Sequence, residues 1–264
     1  MADTNRPAVE QYYDTVREAA TGPAHPHRLS SRRPQSVPPR VAARRRLGQR
    51  RLPREQLGLH QHVDGPSFTW FVMIAVGAPD ASLATFPGEG RQPERLIEAI
   101  DWAAENNKSE FRNRLDESKI ALAGQSCCGV ESFQAGGDPR VKSVASVNSA
   151  RPIRARTSRT CTPTMFVSGC PSDSAFERSR DNYNSVDVPA LLVDHYEAGH
   201  TGLWFGIRNG NGDTPTLAAA TELLTNWLDF TLNGNDSAQQ FLIGPGCTLC
   251  SAGYPWTVES EGFE

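Results

Sequence analysis

From Phe71 onward the apolar positions fall into short runs separated by polar or periodic segments. Phe71–Val76 is an unbroken apolar run that stops at Gly77, the pattern of a strand buried on both faces. After a loop over Gly88–Pro93, Glu94–Asn106 carries Leu96, Ile97, Ile100 and Trp102 at helical spacing. Lys119–Ala123 alternates and predicts a strand, and Cys127–Ala135 predicts the helix that follows it. Val141–Val147 is a further strand. Thr164–Val167 is another, preceded by a polar loop rich in Arg and Thr and followed by a helix over Ala175–Tyr183. Ala190–Val193 is again a strand. Thr216–Leu232 reads as an amphipathic helix with Leu223, Leu224, Trp227, Leu228 and Phe230. Strand alternating with helix predicts an α/β architecture, a mostly parallel sheet with helices on both faces. Right-handed crossovers then gather the strand C-termini, and the loops after them, along one edge.

Before Phe71 the pattern changes. Residues 6–20 are compatible with a short helix, but from about Ala24 to Trp70 prolines, arginines and histidines follow no period of 2 or 3.6. Charge sharpens the contrast. Arg28, Arg32, Arg33, Arg40, Arg44, Arg45, Arg46, Arg50, Arg51 and Arg54 lie in one stretch without Asp or Glu. Without those ten, the 27 basic residues fall to 17 against 30 acidic ones, so a chain of net charge −3 has a remainder of about −13. The expected organisation is an irregular basic segment over residues 1–70 and one α/β domain over residues 71–264, long enough for a sizeable core. A basic arm of this kind commonly binds nucleic acid or anionic surfaces, and that reading predicts salt-sensitive binding lost on deleting residues 28–54. No run of 18 apolar residues predicts a membrane span, and the first residues show no apolar secretory core, so localisation is left open.

Six cysteines, at 127, 128, 161, 170, 247 and 250, are too scattered for a small disulfide scaffold. Cys247-x-x-Cys250 admits a disulfide, half a zinc site or a redox pair. No further ligands stand nearby at zinc spacing, and the pair lies near the C-terminus among glycines and prolines, which favours a structural clip or free thiols.

The candidate chemistry centres on Lys119–Gly129, K-I-A-L-A-G-Q-S-C-C-G. A serine at a sharp strand-to-helix turn among small residues presents its hydroxyl, as in the G-x-S-x-G elbow. Ser126 is therefore the candidate nucleophile, with Cys128 standing where the second glycine belongs and Gly129 one residue late. Asp173, in S-G-C-P-S-D, follows the strand Thr164–Val167, and His200, in E-A-G-H-T-G, follows Ala190–Val193. A serine hydroxyl is a weak nucleophile at neutral pH. His200 would take its proton and return it to the leaving group, while Asp173 fixes the imidazole tautomer. The backbone N–H of Cys127 would donate to the oxyanion. Asp173 has a plain alternative role as a helix N-cap, with Asp181, Asp187 and Asp194 as rivals. His195 is the only other histidine beyond the irregular region. Trp204 and Phe205 suit either core packing or an apolar substrate pocket.

From Phe71 to its end the chain resembles fungal α/β-hydrolases of the dienelactone-hydrolase and polyester-hydrolase-like type. The matching pieces are A-I-D-W-A (99–103), S-K-I-A-L-A-G-Q-S-C (118–127), D-P-R-V-K (138–142), P-S-D-S-A-F (171–176), G-H-T-G (199–202), N-W-L-D-F (226–230) and C-T-L-C (247–250). The resemblance implies the α/β-hydrolase fold, ester hydrolysis, and a triad of Ser126, Asp173 and His200. Similar proteins carry Gly-Gly after S-C, so Cys128 adds volume where helix and strand are expected to pack closely. Similar proteins also have two or three strands before Phe71, and a loop like W-G-N-G-A-C bearing the second oxyanion donor. Neither is present as written. A one-base shift of the codons for Leu47–Leu52 permits W-G-N-G-A-C, Arg44–Arg46 then permit V-V-V, and Ser67–Trp70 permit A-S-H-G. Residues from about 25 to 70 thus have the form of a frame-shifted segment, and an intact in-frame transcript would end that idea. On this reading the arginine run is no evidence for nucleic-acid binding.

The expected function is a serine hydrolase that cleaves a small-molecule or polymeric carboxylic ester through an acyl-enzyme on Ser126. That chemistry requires no metal or organic cofactor. The alternative is a catalytically inactive protein of the same fold, either a binding module or a damaged gene product. Loss of one oxyanion donor slows chemistry by ~10²–10³. Loss of a central strand next to Lys119–Ala123 is worse, because it leaves backbone groups unpaired. The literal chain is therefore expected to fold poorly or to be inactive.

Overall fold

The computed structural model describes residues 57–62, 69–76, 93–149, 162–208 and 211–263. The chain divides into two units, Met1–Asp80 and Ala81–Glu264. The expected helix over residues 6–20 and the arginine stretch lie outside the described residues, as does most of the segment with the form of a frame shift.

In the first unit, β1 (Leu57–His62) pairs antiparallel with β2 (Thr69–Ile74), with Leu57 opposite Ile74 and His62 opposite Thr69. The Phe71–Val76 run is thus not a buried strand of a parallel sheet. Val72 and Met73, successive residues on opposite faces, are 36% and 37% exposed. A six-residue apolar run suits a hairpin strand as well as a central one, and here the partner is local in sequence.

The second unit holds α1 (Glu94–Glu105), β3 (Ile120–Gln125), α2 (Cys127–Ala135), β4 (Val141–Val147), β5 (Thr164–Ser168), α3 (Phe176–Tyr183) and β6 (Ala190–His195). These are followed by α4 (Gly199–Phe205), β7 (Ile207–Arg208), β8 (Asn211–Gly212), α5 (Thr214–Asn233), α6 (Asp236–Leu242) and β9 (Trp256–Glu261). Five strands form one sheet in the order β3-β4-β5-β6-β9. The first four run parallel and β9 is antiparallel to β6. This is the mostly parallel α/β arrangement expected from the alternation of elements.

Strand side chains alternate between two apolar layers, as a period of two requires. Ala145, Val147, Met165, Val167, Leu191 and Val193 pack with Leu203, Leu223, Trp227 and Leu242 from α4, α5 and α6. Val144, Phe166 and Leu192 pack with Ile100, Phe133 and Tyr183 from α1, α2 and α3. Burial on both faces explains the apolar runs Met165–Val167 in β5 and Ala190–Val193 in β6, while β4 (V-K-S-V-A-S-V) buries two serines among its apolar residues. By contrast, β9 (W-T-V-E-S-E) has only Trp256 buried and ends exposed. It is a polar edge strand, and its sequence does not announce it.

Register sets up the site. Gln125 lies opposite Val147, Val147 opposite Val167, and Ser168 opposite Asp194. The C-terminal ends of β3 to β6 therefore form one rim, and Ser126, Asn148 and Gly169 each follow a strand there.

At the other end of the chain, α5 is capped by the Asp213 carboxylate, which accepts from the Thr216 N–H at 3.1 Å, and closes on left-handed Gly234. Cys247 and Cys250 form a disulfide with Cα atoms 5.3 Å apart, which settles the open reading of that motif as a clip. Among the described residues no helix is long and apolar enough to cross a membrane.

Candidate active site at the strand rim

Ser126 sits between β3 and α2 with φ 57° and ψ −119°, a conformation that costs a residue with a side chain about 1–3 kcal/mol. Its neighbours hold it there. Its N–H donates to the Val147 carbonyl at 2.8 Å, and its carbonyl accepts from Ser149 Oγ at 3.2 Å and from the Val130 N–H at 3.4 Å. Two glycines make the turn possible by close approach. A Cβ on Gly124 would overlap the Cys128 carbonyl and lie 2.8 Å from the Gly129 nitrogen. A Cβ on Gly129 would overlap Ser149 Oγ and lie 2.8 Å from the Gly124 carbonyl oxygen.

Gly124 and Gly129 are thus both crowded positions in the turn. Cys128, which stands where the second glycine of the elbow belongs, is half-buried, with its Sγ 3.9 Å from that of Cys127. Gly129→Ala should cost about 1–3 kcal/mol by overpacking and move Ser126. Denaturant unfolding should show the loss.

The structure joins Asp173 to His200 directly. His200 Nδ1 lies 2.8 Å from Asp173 Oδ1, with the Asp173 side chain wholly buried and that of His200 37% exposed. With Nδ1–H donating to the carboxylate, Nε2 is left as the proton acceptor. Asp173 also accepts from the Ala175 N–H at 3.0 Å, from the Gly169 N–H at 3.3 Å and from Asn148 Nδ2 at 2.5 Å. The plain role, ordering the turn into α3, and the role of orienting the imidazole are thus filled by the same carboxylate.

Burial works against the charged form of Asp173, but the bond from His200 and those from Ala175, Asn148 and Gly169 outweigh it and hold its pKa below the usual carboxylate value. The bond to Asp173 raises the pKa of His200 against a partial opposing effect of burial. Together they form a carboxylate poised to stabilise an imidazolium.

Ser126 reaches this pair through its neighbours. Gln125 Nε2 donates to the His200 carbonyl at 2.8 Å, tying the residue before the serine to the loop that bears the imidazole. Asn148 follows the Val147 carbonyl that holds the Ser126 N–H, and its Nδ2 bridges Asp173 and the Gly199 carbonyl, the latter at 3.3 Å. No hydrogen bond joins Ser126 Oγ to His200 in this structure. Such bonds are commonly long before substrate binds. The Cys127 N–H opens α2, where first-turn N–H groups have no intrahelical acceptor and the helix dipole favours negative charge.

The rival residues have other work. Asp194 is buried and bonded to Ser168 Oγ and, at 2.8 Å, to Arg180, which also pairs with Glu259. Burial raises its pKa despite these partners, and it acts as a strut between β5, β6 and α3. Asp181 pairs with Arg178 at the surface, and Asp187 is exposed. His195 lies within β6, buried edge-on against Trp256 with ring centroids 4.7 Å apart. Trp204 packs against the apolar layer beneath α4, α5 and α6.

Asn148 and Gln125 are the residues that sequence reasoning missed. Polar residues have no periodicity to mark them. The available signal was position, since each closes or directly follows a strand at the rim. Asn148 is fully buried with φ 49°, a left-handed conformation that asparagine tolerates better than most. Asn148→Ala should destabilise by about 1.5–3 kcal/mol through the lost bond to a charged group, and should lower kcat with little change in KM. Unfolding and steady-state ester kinetics check the two parts.

A cavity of about 350 Å³ lined by residues such as Asp138, Lys142, Thr162 and Pro163 lies by the N-terminal ends of β4 and β5, and contains none of the residues above. Among the described residues no group of three or more His, Cys, Asp or Glu side chains is placed to hold a metal ion. A scan against protein-family models finds no match, and a search of curated proteins finds none.

Proposed function

We propose that this chain is a serine hydrolase of the α/β-hydrolase fold that cleaves a carboxylic ester, small or polymeric, through an acyl-enzyme on Ser126. The observation that carries the reading is the buried Asp173–His200 pair on the same rim as a serine in a strained strand-to-helix turn. His200 Nε2 takes the Ser126 proton as Oγ attacks the ester carbon. The imidazolium is stabilised by Asp173, and the Cys127 N–H donates to the oxyanion. His200 then protonates the departing alkoxide. Water, deprotonated by the same imidazole, attacks the acyl-enzyme and releases the acid. The motifs shared with fungal dienelactone-hydrolase and polyester-hydrolase-like proteins support the same assignment.

A second reading, an inactive protein of this fold, is favoured by the oxyanion side. Among the described residues the Cys127 N–H is the only donor assigned, and the loop that would bring another falls outside them. One donor predicts turnover slowed by ~10²–10³, not abolished. Mixing the protein with p-nitrophenyl acetate tests the reading. A burst of nitrophenolate stoichiometric with protein, followed by slow turnover, supports an acyl-enzyme, and release no faster than in buffer with Ser126→Ala protein favours the inactive alternative.

A further inference from the structure

The triad leaves two thiols beside Ser126 unused. Cys127 is exposed and Cys128 half-buried at the start of α2, with Sγ atoms 3.9 Å apart. Oxidation to each other is disfavoured by geometry. Adjacent Cα atoms stand about 3.8 Å apart across a trans peptide, whereas disulfides span roughly 4.4–6.8 Å. Both residues also belong to a hydrogen-bonded helix. Both are free thiols in a chain whose Cys247 and Cys250 are bonded.

Bridging by a single thiophilic atom does fit. An atom bonded to two sulfurs at about 2.3 Å with a tetrahedral angle holds them ~3.8 Å apart, and a pyramidal atom draws them slightly closer. A bare ion seeking four protein donors finds too few here, since no third ligand completes a cluster among the described residues. A ligand that brings its own remaining substituent and asks the protein for two sulfurs is satisfied.

We propose that Cys127 and Cys128 form a chelating site for monosubstituted trivalent arsenicals next to Ser126. In the hydrated ligand, R–As(OH)2, two As–O bonds break and two As–S bonds form. The two thiol protons leave with the hydroxyls as two waters, and arsenic stays trivalent, so no oxidant is needed. Cys127, being exposed, reacts first. Burial, then the nearby Cys127 and Glu131, push the Cys128 thiol up to about 12, so it closes the ring as a thiol, passing its proton to the leaving hydroxyl. Resting on the proposed function, the adduct crowds Ser126 and the turn that carries the Cys127 N–H, and so blocks acylation.

The test uses the full chain, unreduced, with phenylarsine oxide. Intact mass should show one adduct per chain, and peptide mapping of the wild-type protein should place the bridge on Cys127 and Cys128. Removal by 2,3-dimercaptopropanol but not by a monothiol at equal thiol concentration is expected. Cys128→Ser should lose the adduct, while Cys170→Ser, which removes a buried thiol 2.9 Å from Ser172 Oγ, should keep it. No adduct on the folded wild type, or mapping to any other cysteine, overturns the site. Fluorophosphonate labelling of Ser126 should be blocked by the arsenical and restored by the dithiol. An adduct that leaves labelling intact overturns the coupling. If Ser126 fails to label even without arsenical while the adduct forms, the hydrolase reading fails and the chelating site stands.

Discussion

Asp173→Asn should lower kcat for ester hydrolysis by about 10⁴ while leaving the fold in place. The carboxylate is wholly buried, accepts from three donors besides His200, and lies 2.8 Å from Nδ1 of the imidazole. An amide there presents an N–H or a carbonyl of no net charge, so it neither fixes Nδ1–H as reliably nor balances an imidazolium. The pH profile carries a second expectation. Catalysis needs His200 neutral, so activity falls as pH drops through its pKa. The bond to Asp173 raises that pKa, which places the acid limb above the ordinary histidine value of about 6.5. Removing the charge should move the limb to lower pH. Steady-state kinetics over pH 5–9 on both proteins read the two effects, and an unmoved acid limb would mean that His200 is not the titrating group.

Replacing Ser126 separates chemistry from strain. Ser126→Ala should remove the acyl-enzyme and cost on the order of 10⁶ in kcat, the scale seen when a triad nucleophile is deleted. Ser126→Gly should do the same to turnover yet stabilise the protein. At φ 57° and ψ −119° a residue with a side chain is held in a sparsely populated region that glycine enters freely. The gain of about 1 kcal/mol that strain relief would bring, offset in part by glycine's freedom when unfolded, should show as a raised unfolding midpoint relative to Ser126→Ala. A serine placed here only as a turn residue would show neither the collapse in rate nor a reason to keep the strain.

Much of this arrangement was legible in the chain, for identifiable reasons. Strands β5 and β6 are buried on both faces, so their apolar runs mark them to within two residues of their bounds, and β4 matches its expected bounds Val141–Val147 despite two buried serines. Ser126, Asp173 and His200 announced themselves by residue type, chain order and position after strands. The structure brings the last two into contact and links the first to them through Gln125 and Asn148. What failed was what depends on partners rather than pattern. Phe71–Val76 carries the composition of a central strand but pairs in a hairpin with Leu57–His62, whose L-G-L-H-Q-H sequence shows too little alternation to stand out. The short helix Gly199–Phe205 and the strand Trp256–Glu261 went unread because one is seven residues long and the other is a polar edge. The close approach at Gly129, whose added Cβ would overlap Ser149 Oγ, is likewise set by the three-dimensional path of α2 against β4, which no sequence pattern marks.

The proposed chemistry requires Ser126 to be an activated nucleophile. Incubation of the full chain with a fluorophosphonate probe, followed by digestion and mass mapping, addresses it most directly, because an unactivated serine does not react. One stoichiometric adduct on Ser126 is expected, abolished by Ser126→Ala and strongly slowed by His200→Ala. A folded protein that remains unlabelled, or that labels equally well without His200, would contradict it.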